Sequence, residues 1–287
     1  MLTVQQPRTL CLPCLSPHGF HRVAYYEWGD PTSERVVICV HGLSRNGRDF
    51  DVLGEALADT HRVMAVDMPG RGSSQWLSDP ADYVFPTYLT TLAALIARSN
   101  AATVAWVGTS MGALLGMVMA AQRNSPVSRL VVNDAGPVIE QGALARIRDY
   151  LGLAPSFASL AEAETYIRAV SRPFGPLTDA QWDHLTRTSV ALNADGRYAL
   201  TYDPAIAVPF RTAPAPVDLW PLWDAIRCPT LVLRGAESDL LSGATAKAMT
   251  ERGPKARLVE FAGVGHAPML LSPDQYAPVV EFLREDA

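Results

Sequence analysis

The sequence predicts an α/β fold in which a mostly parallel central sheet is flanked by helices and interrupted by an inserted helical lid. Three observations predict it. Short β-rich runs alternate with helical patterns up to residue 136, the pattern is helical across 137–221, and alternation then resumes. Strands that alternate with helices connect through right-handed crossovers into parallel sheets. We therefore expect a core domain from residues 1–136 and 222–287, and a helical lid, or cap, from residues 137–221.

The first elements of the core each have a local signal. Residues 8–15 and 21–28 are two short β-rich stretches. Residues 35–40 form an almost continuous apolar run, which is typical of a strand buried on both faces of a parallel sheet. Residues 50–58 place apolar side chains at helical spacing, and 61–67 is the next strand-like run. These patterns predict four strands and one helix.

The remaining core elements continue the alternation. Residues 86–99 predict an amphipathic helix with a proline in its first turn, where proline is tolerated. Residues 102–107 predict a strand, and the nearly all-apolar run 111–122 predicts a central, buried helix. A strand is predicted at 127–132. After the lid we expect strands at 230–234 and 257–261 and helices at 243–253 and 272–285.

The composition limits the class of protein. The chain has 287 residues, 48% of them hydrophobic and 18% charged, so it can bury one large core. The net charge is −5 and the basic residues are scattered, which disfavours a nucleic-acid or anionic-membrane partner. No apolar run approaches the roughly 20 residues of a membrane span, and the start of the chain lacks the pattern of a signal peptide. We expect a soluble, cytoplasmic protein that acts on a small-molecule substrate, with an oligomeric state that the sequence does not define.

The four cysteines do not predict a metal or redox site. Cys11 and Cys14 have the spacing of a zinc or redox pair, but no second pair completes it. Cys39 lies in an apolar strand-like run and Cys228 precedes another one. We expect all four to be unpaired thiols and the protein to need no metal and no cofactor.

The pentapeptide GTSMG at 108–112 predicts a nucleophile. It matches the pattern Gly-x-Ser-x-Gly, and it lies between a predicted strand and a predicted helix, which is the context that this motif requires. The two glycines have a steric reason, since a sharp turn of this kind brings neighbouring backbone close to both positions. Ser110 is therefore the predicted nucleophile.

A serine hydroxyl needs a base and an orienting acid. Around this motif the chain order is serine, acid, histidine, and His266 is the only histidine beyond the lid. Asp239, shortly after the strand 230–234, is the predicted acid. Asp134, which also follows a predicted strand, and Glu237 are alternatives. The predicted catalytic residues are Ser110, Asp239 and His266.

Two backbone N–H groups are predicted to bind the oxyanion, because charge on the carbonyl oxygen needs fixed donors. One belongs to Met111, directly after the nucleophile. The other belongs to Leu43, in the loop after the strand 35–40, where Gly42 allows close approach of the backbone. His41 in the same loop is expected to brace it by hydrogen bonding.

With these residues identified, the chain resembles the α/β-hydrolase superfamily, and specifically its lid-bearing serine esterase-like branch. The resemblance spans nearly the whole chain, through the segments HG at 41–42, DMPGRGS at 67–73, GTSMG at 108–112, LRG at 233–235 and GH at 265–266. It implies a mostly parallel sheet, a Ser-His-Asp triad and a lid over the site. Thr109 and Ala267 depart from carbon–carbon hydrolases, which usually carry Asn and Trp at these positions.

The resemblance implies cleavage of a carboxylic ester through an acyl-enzyme. A carbon–carbon hydrolase, a proline iminopeptidase-like amidase and a non-catalytic receptor on the same fold remain alternatives. Trp182 and Tyr202 of the lid are candidate substrate contacts. Arg45, near the expected mouth of the pocket, is a third candidate. If Arg45 binds a carboxylate, then acidic esters such as short hydroxyalkanoate oligomers become candidate substrates.

Overall fold

The computed structural model describes residues 5–212 and 218–285. Within these ranges the chain forms two sheets. The strands are β1 (Arg8–Ser16), β2 (Gly19–Trp28), β3 (Val36–Val40), β4 (Arg62–Val66), β5 (Val104–Thr109), β6 (Val127–Asn133), β7 (Ser156–Phe157), β8 (Val190–Leu192), β9 (Tyr198–Leu200), β10 (Thr230–Gly235) and β11 (Arg257–Phe261). The helices are α1 (Asp51–Leu57), α2 (Phe85–Ser99), α3 (Met111–Ala120), α4 (Gln141–Tyr150), α5 (Leu160–Val170), α6 (Asp179–Ser189), α7 (Ala207–Thr212), α8 (Trp220–Ala225), α9 (Gly243–Glu251) and α10 (Pro273–Arg284).

The large sheet has the strand order β1-β2-β4-β3-β5-β6-β10-β11. The pairs β1–β2 and β2–β4 are antiparallel, and the pairs from β4 to β11 are parallel. Strand β3 shows why the sheet is covered on both faces. Val36, Ile38 and Val40 pack into one apolar cluster, while Val37 and Cys39 pack into the other. Successive side chains of a strand point to opposite faces, so this alternation requires helices on both sides. The predicted fold class is confirmed.

The segment between β6 and α8 contains helices α4 to α7 and a small antiparallel sheet of order β7-β9-β8. The sequence predicted only helices here. Each of these strands has two or three residues, which is too short for an alternating pattern to appear. An apolar cluster of this segment, which includes Trp182 and Leu185, packs against Met269 and Leu271 of the core. The division into a core domain and a lid stays a prediction.

No helix in the ranges 5–212 and 218–285 has the length and apolar character needed to cross a membrane.

Candidate active site

Ser110 lies on a strained turn between β5 and α3. Its backbone has φ 53° and ψ −114°, a conformation that residues with a side chain rarely adopt. The turn is held because the Ser110 N–H donates to the carbonyl oxygen of Asn133 at 2.9 Å, while the Ser110 carbonyl accepts the first bonds of α3. The elbow therefore presents the Ser110 side chain at the carboxyl edge of the parallel sheet.

The two glycines of the elbow are required by close backbone approach. A Cβ on Gly112 would collide with the carbonyl group of Val40 in β3, and a Cβ on Gly108 would collide with the backbone of Gly112. No rotation of a side chain relieves a clash with backbone. The steric reason inferred from the sequence is thus visible at both positions.

His266 links Ser110 to a buried carboxylate. Its Nε2 lies 2.9 Å from Ser110 Oγ, and its Nδ1 lies 2.7 Å from Asp134 Oδ2. A carboxylate only accepts, so Nδ1 carries the proton and Nε2 is free to accept from the serine hydroxyl. Asp134 directly follows β6, is fully buried, and has a φ of 52°.

The Asp134 carboxylate has further donors. Ser238 Oγ donates to Oδ2 at 2.6 Å, and the Gly235 N–H donates to Oδ1 at 3.1 Å. The Asp134 N–H in turn donates to the carbonyl oxygen of Leu233 at 2.8 Å. These bonds tie the loop after β6 to the loop after β10. They hold the Asp134 side chain in one orientation, because donors from separate loops contact its two oxygens.

The geometry does not bring Asp239, the predicted acid, into contact with His266. In the described ranges, the carboxylate at hydrogen-bonding distance from His266 is that of Asp134. Asp239 instead accepts from Arg146 of α4 at 2.6 and 2.8 Å, and its side chain is 45% exposed. Hydrogen bonding to Arg146 lowers the pKa of Asp239. The other alternative, Glu237, lies exposed in the same loop.

The loop that carries Leu43 is held by its neighbours. The Gly42 carbonyl, which shares a peptide group with the Leu43 N–H, accepts from His41 Nδ1 at 2.6 Å and from the Arg45 N–H at 3.2 Å. The Leu43 carbonyl accepts from Nε of the buried Arg71 at 2.9 Å. The Met111 N–H is at the first position of α3, where an amide has no partner within its own helix. Both predicted oxyanion donors are thus fixed beside Ser110; their role stays a prediction.

His41 is a structural histidine of this loop. Its Nε2 accepts from the Met68 N–H at 3.0 Å, so its Nδ1 must carry the proton that it donates to Gly42. Burial lowers the pKa of His41 to about 3. The ring is therefore neutral at neutral pH, and it braces the loop as the sequence analysis expected.

A pH dependence of stability follows from His41. In the unfolded chain a histidine has a pKa of about 6.5. Between that value and the folded pKa of about 3 the unfolded chain binds the additional proton, so the free energy of unfolding decreases as the pH falls through this window. We expect His41→Gln to reduce this acid-side decrease. Urea unfolding of both proteins at several pH values checks it, and pH profiles that run parallel would contradict it.

Two cavities meet at Ser110. The first, of about 110 Å³, also contains His266 and two arginines, and we call it the arginine cavity. The second, of about 440 Å³, is the apolar cavity. Ser110, Leu43 and Ile147 line both cavities. The apolar cavity is lined further by aromatic and aliphatic side chains, which include Tyr83, Phe85, Tyr88, Met111, Leu114 and Ile206.

The three candidate substrate contacts differ in where the structure places them. Arg45 and Tyr202 line the arginine cavity. Arg45 donates to Asp49 at 2.9 and 2.5 Å and to Ser189 at 2.9 Å, so its charge is already paired. Trp182 is not among the described residues that line either cavity, because it is buried in the apolar cluster of the segment between β6 and α8.

Arg146 was missed by the sequence analysis although it lines the arginine cavity. In the sequence it is typical of a charged residue on the exposed face of a helix. Its ion pair with Asp239 joins residues that are 93 positions apart. A contact of that separation leaves no local signal. Ser238 was missed for the same reason.

The class of protein follows from this geometry. Ser110 lies on a strained strand-to-helix turn and contacts a histidine from the loop after the last strand of a parallel sheet. This arrangement is typical of serine hydrolases with an α/β-hydrolase fold. A family model described as the alpha/beta hydrolase family matches residues 37–279. The chain belongs to this family.

Similar proteins support this membership. A 3-hydroxybutyrate-oligomer hydrolase from Cupriavidus necator is 44% identical over 285 residues, which cover 96% of this chain and 97% of that protein. A pimeloyl-(acyl-carrier protein) methyl ester esterase from Xanthomonas campestris is 28% identical over 84% of this chain and 92% of its own length. The crystal structure of an alpha/beta hydrolase from Novosphingobium aromaticivorans, 36% identical, superposes with a TM-score of 0.88 over 98% of this chain and 99% of that chain. The names of these relatives support an enzyme that hydrolyses esters.

Proposed function

We propose that this protein hydrolyses carboxylic esters through a triad of Ser110, His266 and Asp134. The observation that carries the proposal is the unbroken series of hydrogen bonds from Ser110 Oγ through His266 to Asp134, at 2.9 and 2.7 Å. His266 Nε2 takes the serine proton as Oγ attacks the ester carbonyl. Asp134 holds the ring in the required tautomer and stabilises its positive form.

The reaction proceeds in two halves. The oxyanion of each tetrahedral intermediate accepts hydrogen bonds from the N–H groups of Leu43 and Met111. His266 gives its proton to the leaving alkoxide, and the acyl group stays on Ser110 Oγ. His266 then takes a proton from water as the water attacks the acyl-enzyme. The bond between Ser110 Oγ and the acyl group breaks, His266 returns the proton to Oγ, and the acid is released. Asp239 has no role in these steps.

The substrate class we propose is short oligomers of hydroxyalkanoic acids. The 3-hydroxybutyrate-oligomer hydrolase that is 44% identical over 96% of this chain supports it. The site supports it as well, because Arg146 lines the same cavity as Ser110 and an arginine suits an ester that also carries a carboxylate.

We also propose that residues 137–221 act as a lid. Arg45 contacts Ser189, and Asn46 donates to the Thr188 carbonyl at 2.8 Å, so α6 is held against the loop beside Ser110. Tyr150, Tyr166 and Tyr202 of this segment line the arginine cavity. Closing a site in this way removes water and strengthens its electrostatic interactions.

The test is the activity of the purified chain on the linear dimer and trimer of 3-hydroxybutyrate, with p-nitrophenyl butyrate as a neutral reference ester. We expect all three to be hydrolysed without added metal, and a fluorophosphonate probe to label Ser110 alone. The proposal of ester hydrolysis fails if none is cleaved and Ser110 is not labelled. Cleavage of the p-nitrophenyl ester alone would reject the substrate class and retain the esterase.

A further inference from the structure

The two cavities at Ser110 differ in their access to the proton donor. His266 lines the arginine cavity and is not among the described residues that line the apolar cavity, whereas the reverse holds for Met111. His266 must reach the leaving oxygen to protonate it, so the leaving group has to lie on the His266 side. The acyl group then extends along Met111 into the apolar cavity.

The two arginines of the arginine cavity differ in how easily they can bind a substrate carboxylate. Arg45 is bound to Asp49, whose side chain is even more buried than that of Arg45, and this pair is fixed further by Ser189. Arg146 pairs with Asp239, which lies outside this cavity, and their side chains are 34% and 45% exposed. Exposed ion pairs contribute little free energy because water competes for both partners. Arg146 is therefore the cation that can exchange its carboxylate partner at small cost.

The two ends of a linear hydroxyalkanoate oligomer differ chemically, since one carries a hydroxyl group and the other a carboxylate. When an internal ester is cleaved, the leaving alcohol is the portion that ends in the free carboxylate, and the acyl portion is the one that ends in the hydroxyl group. The portion that must lie in the arginine cavity is thus the anionic one. The less polar portion lies in the larger, apolar cavity.

Resting on the proposed function, we propose that Arg146 binds the terminal carboxylate of the oligomer and that the enzyme removes units from the carboxyl end. The bond from Ser110 Oγ to the carbonyl carbon forms, the ester C–O bond breaks, and the serine proton passes through His266 to the leaving oxygen. The first product is a hydroxy acid monomer. Water then releases the shortened oligomer, whose new carboxylate re-enters the same cavity.

The direction is tested with a linear 3-hydroxybutyrate trimer that carries deuterium only in its carboxyl-terminal unit. The early products of the unmodified enzyme are analysed by mass spectrometry. We expect labelled monomer and unlabelled dimer. Unlabelled monomer with labelled dimer would overturn the proposal, while cleavage itself would leave the proposed function standing.

The role of Arg146 is tested by comparing the trimer with its methyl ester, which lacks the charge. We expect kcat/KM to be at least about tenfold higher for the free acid, the effect of one charge-assisted hydrogen bond. Arg146→Gln should remove this preference and leave the methyl ester nearly unaffected. Arg187→Gln is the matched control, since Arg187 is also an ion-paired, exposed arginine of the same segment. An equal loss on both substrates in Arg146→Gln, or no preference in the unmodified enzyme, would reject the role.

Discussion

Replacing Ser110 with alanine is expected to lower kcat for p-nitrophenyl butyrate by about 10⁶-fold, the loss found when the nucleophile of a serine hydrolase is removed. The methyl group of alanine fits the turn and leaves the backbone bond to Asn133 in place, so the fold should persist. What remains is the contribution of the oxyanion donors at Leu43 and Met111. Initial rates measure the loss, and circular dichroism confirms the fold.

The matched control for Ser110→Ala is Ser128→Ala. Ser128 is an exposed serine on β6 whose hydroxyl donates to the Val104 carbonyl at 3.1 Å, away from both cavities. It should keep nearly full activity. If Ser110→Ala retained most of its turnover, another group would have to attack the ester, and the whole mechanism would be wrong.

The turn that carries Ser110 could be predicted because its signal is local. Within residues 108–112 the strained turn, the two glycines and the start of α3 all depend on backbone sterics over a few positions. The parallel sheet was predictable for a related reason. Strands buried on both faces, such as β3, appear in the sequence as apolar runs of sufficient length.

The carboxylate that contacts His266 could not be chosen from the sequence, because two loops offer an aspartate at the same edge of the sheet. Strands β6 and β10 are neighbours in the sheet, so the loops that follow them leave from the same edge. Both chain positions satisfy the order serine, acid, histidine. In the structure Asp134, at a positive φ, contacts His266, whereas Asp239 pairs with Arg146, which is distant in the sequence.

The residues that line the cavities were the least predictable, because their positions depend on contacts between distant parts of the chain. Trp182 and Tyr202 are both buried aromatic residues of one segment, yet Tyr202 lines the arginine cavity and Trp182 packs in an apolar cluster. Which of them meets the cavity depends on how this segment packs on the core. No local pattern in the sequence records that packing.

Asp134→Asn is expected to lower kcat by about 10⁴-fold, because an amide can present an N–H to His266 and favour the tautomer that cannot accept the serine proton. The steric change is minimal. With the amide nitrogen in the place of Oδ2, the Gly235 N–H keeps an oxygen to which it donates, and the Ser238 hydroxyl can accept from the amide instead of donating to it. Asp239→Asn removes only an exposed ion pair with Arg146. On p-nitrophenyl butyrate, which carries no carboxylate, it should keep kcat within about threefold of the unmodified enzyme.

Comparing Asp134→Asn with Asp239→Asn identifies the carboxylate that serves His266. Each variant removes one negative charge from one of two neighbouring loops, so a difference in their activity does not come from the change in charge alone. A direct effect on the tautomer of His266 appears in kcat on a neutral ester. An effect on Arg146 appears instead in KM for an anionic ester, where Asp239→Asn should lower KM by freeing the arginine. If Asp239→Asn lost as much turnover as Asp134→Asn, the carboxylate that serves His266 would be that of Asp239. The contact between Asp134 and His266 would then be a structural one.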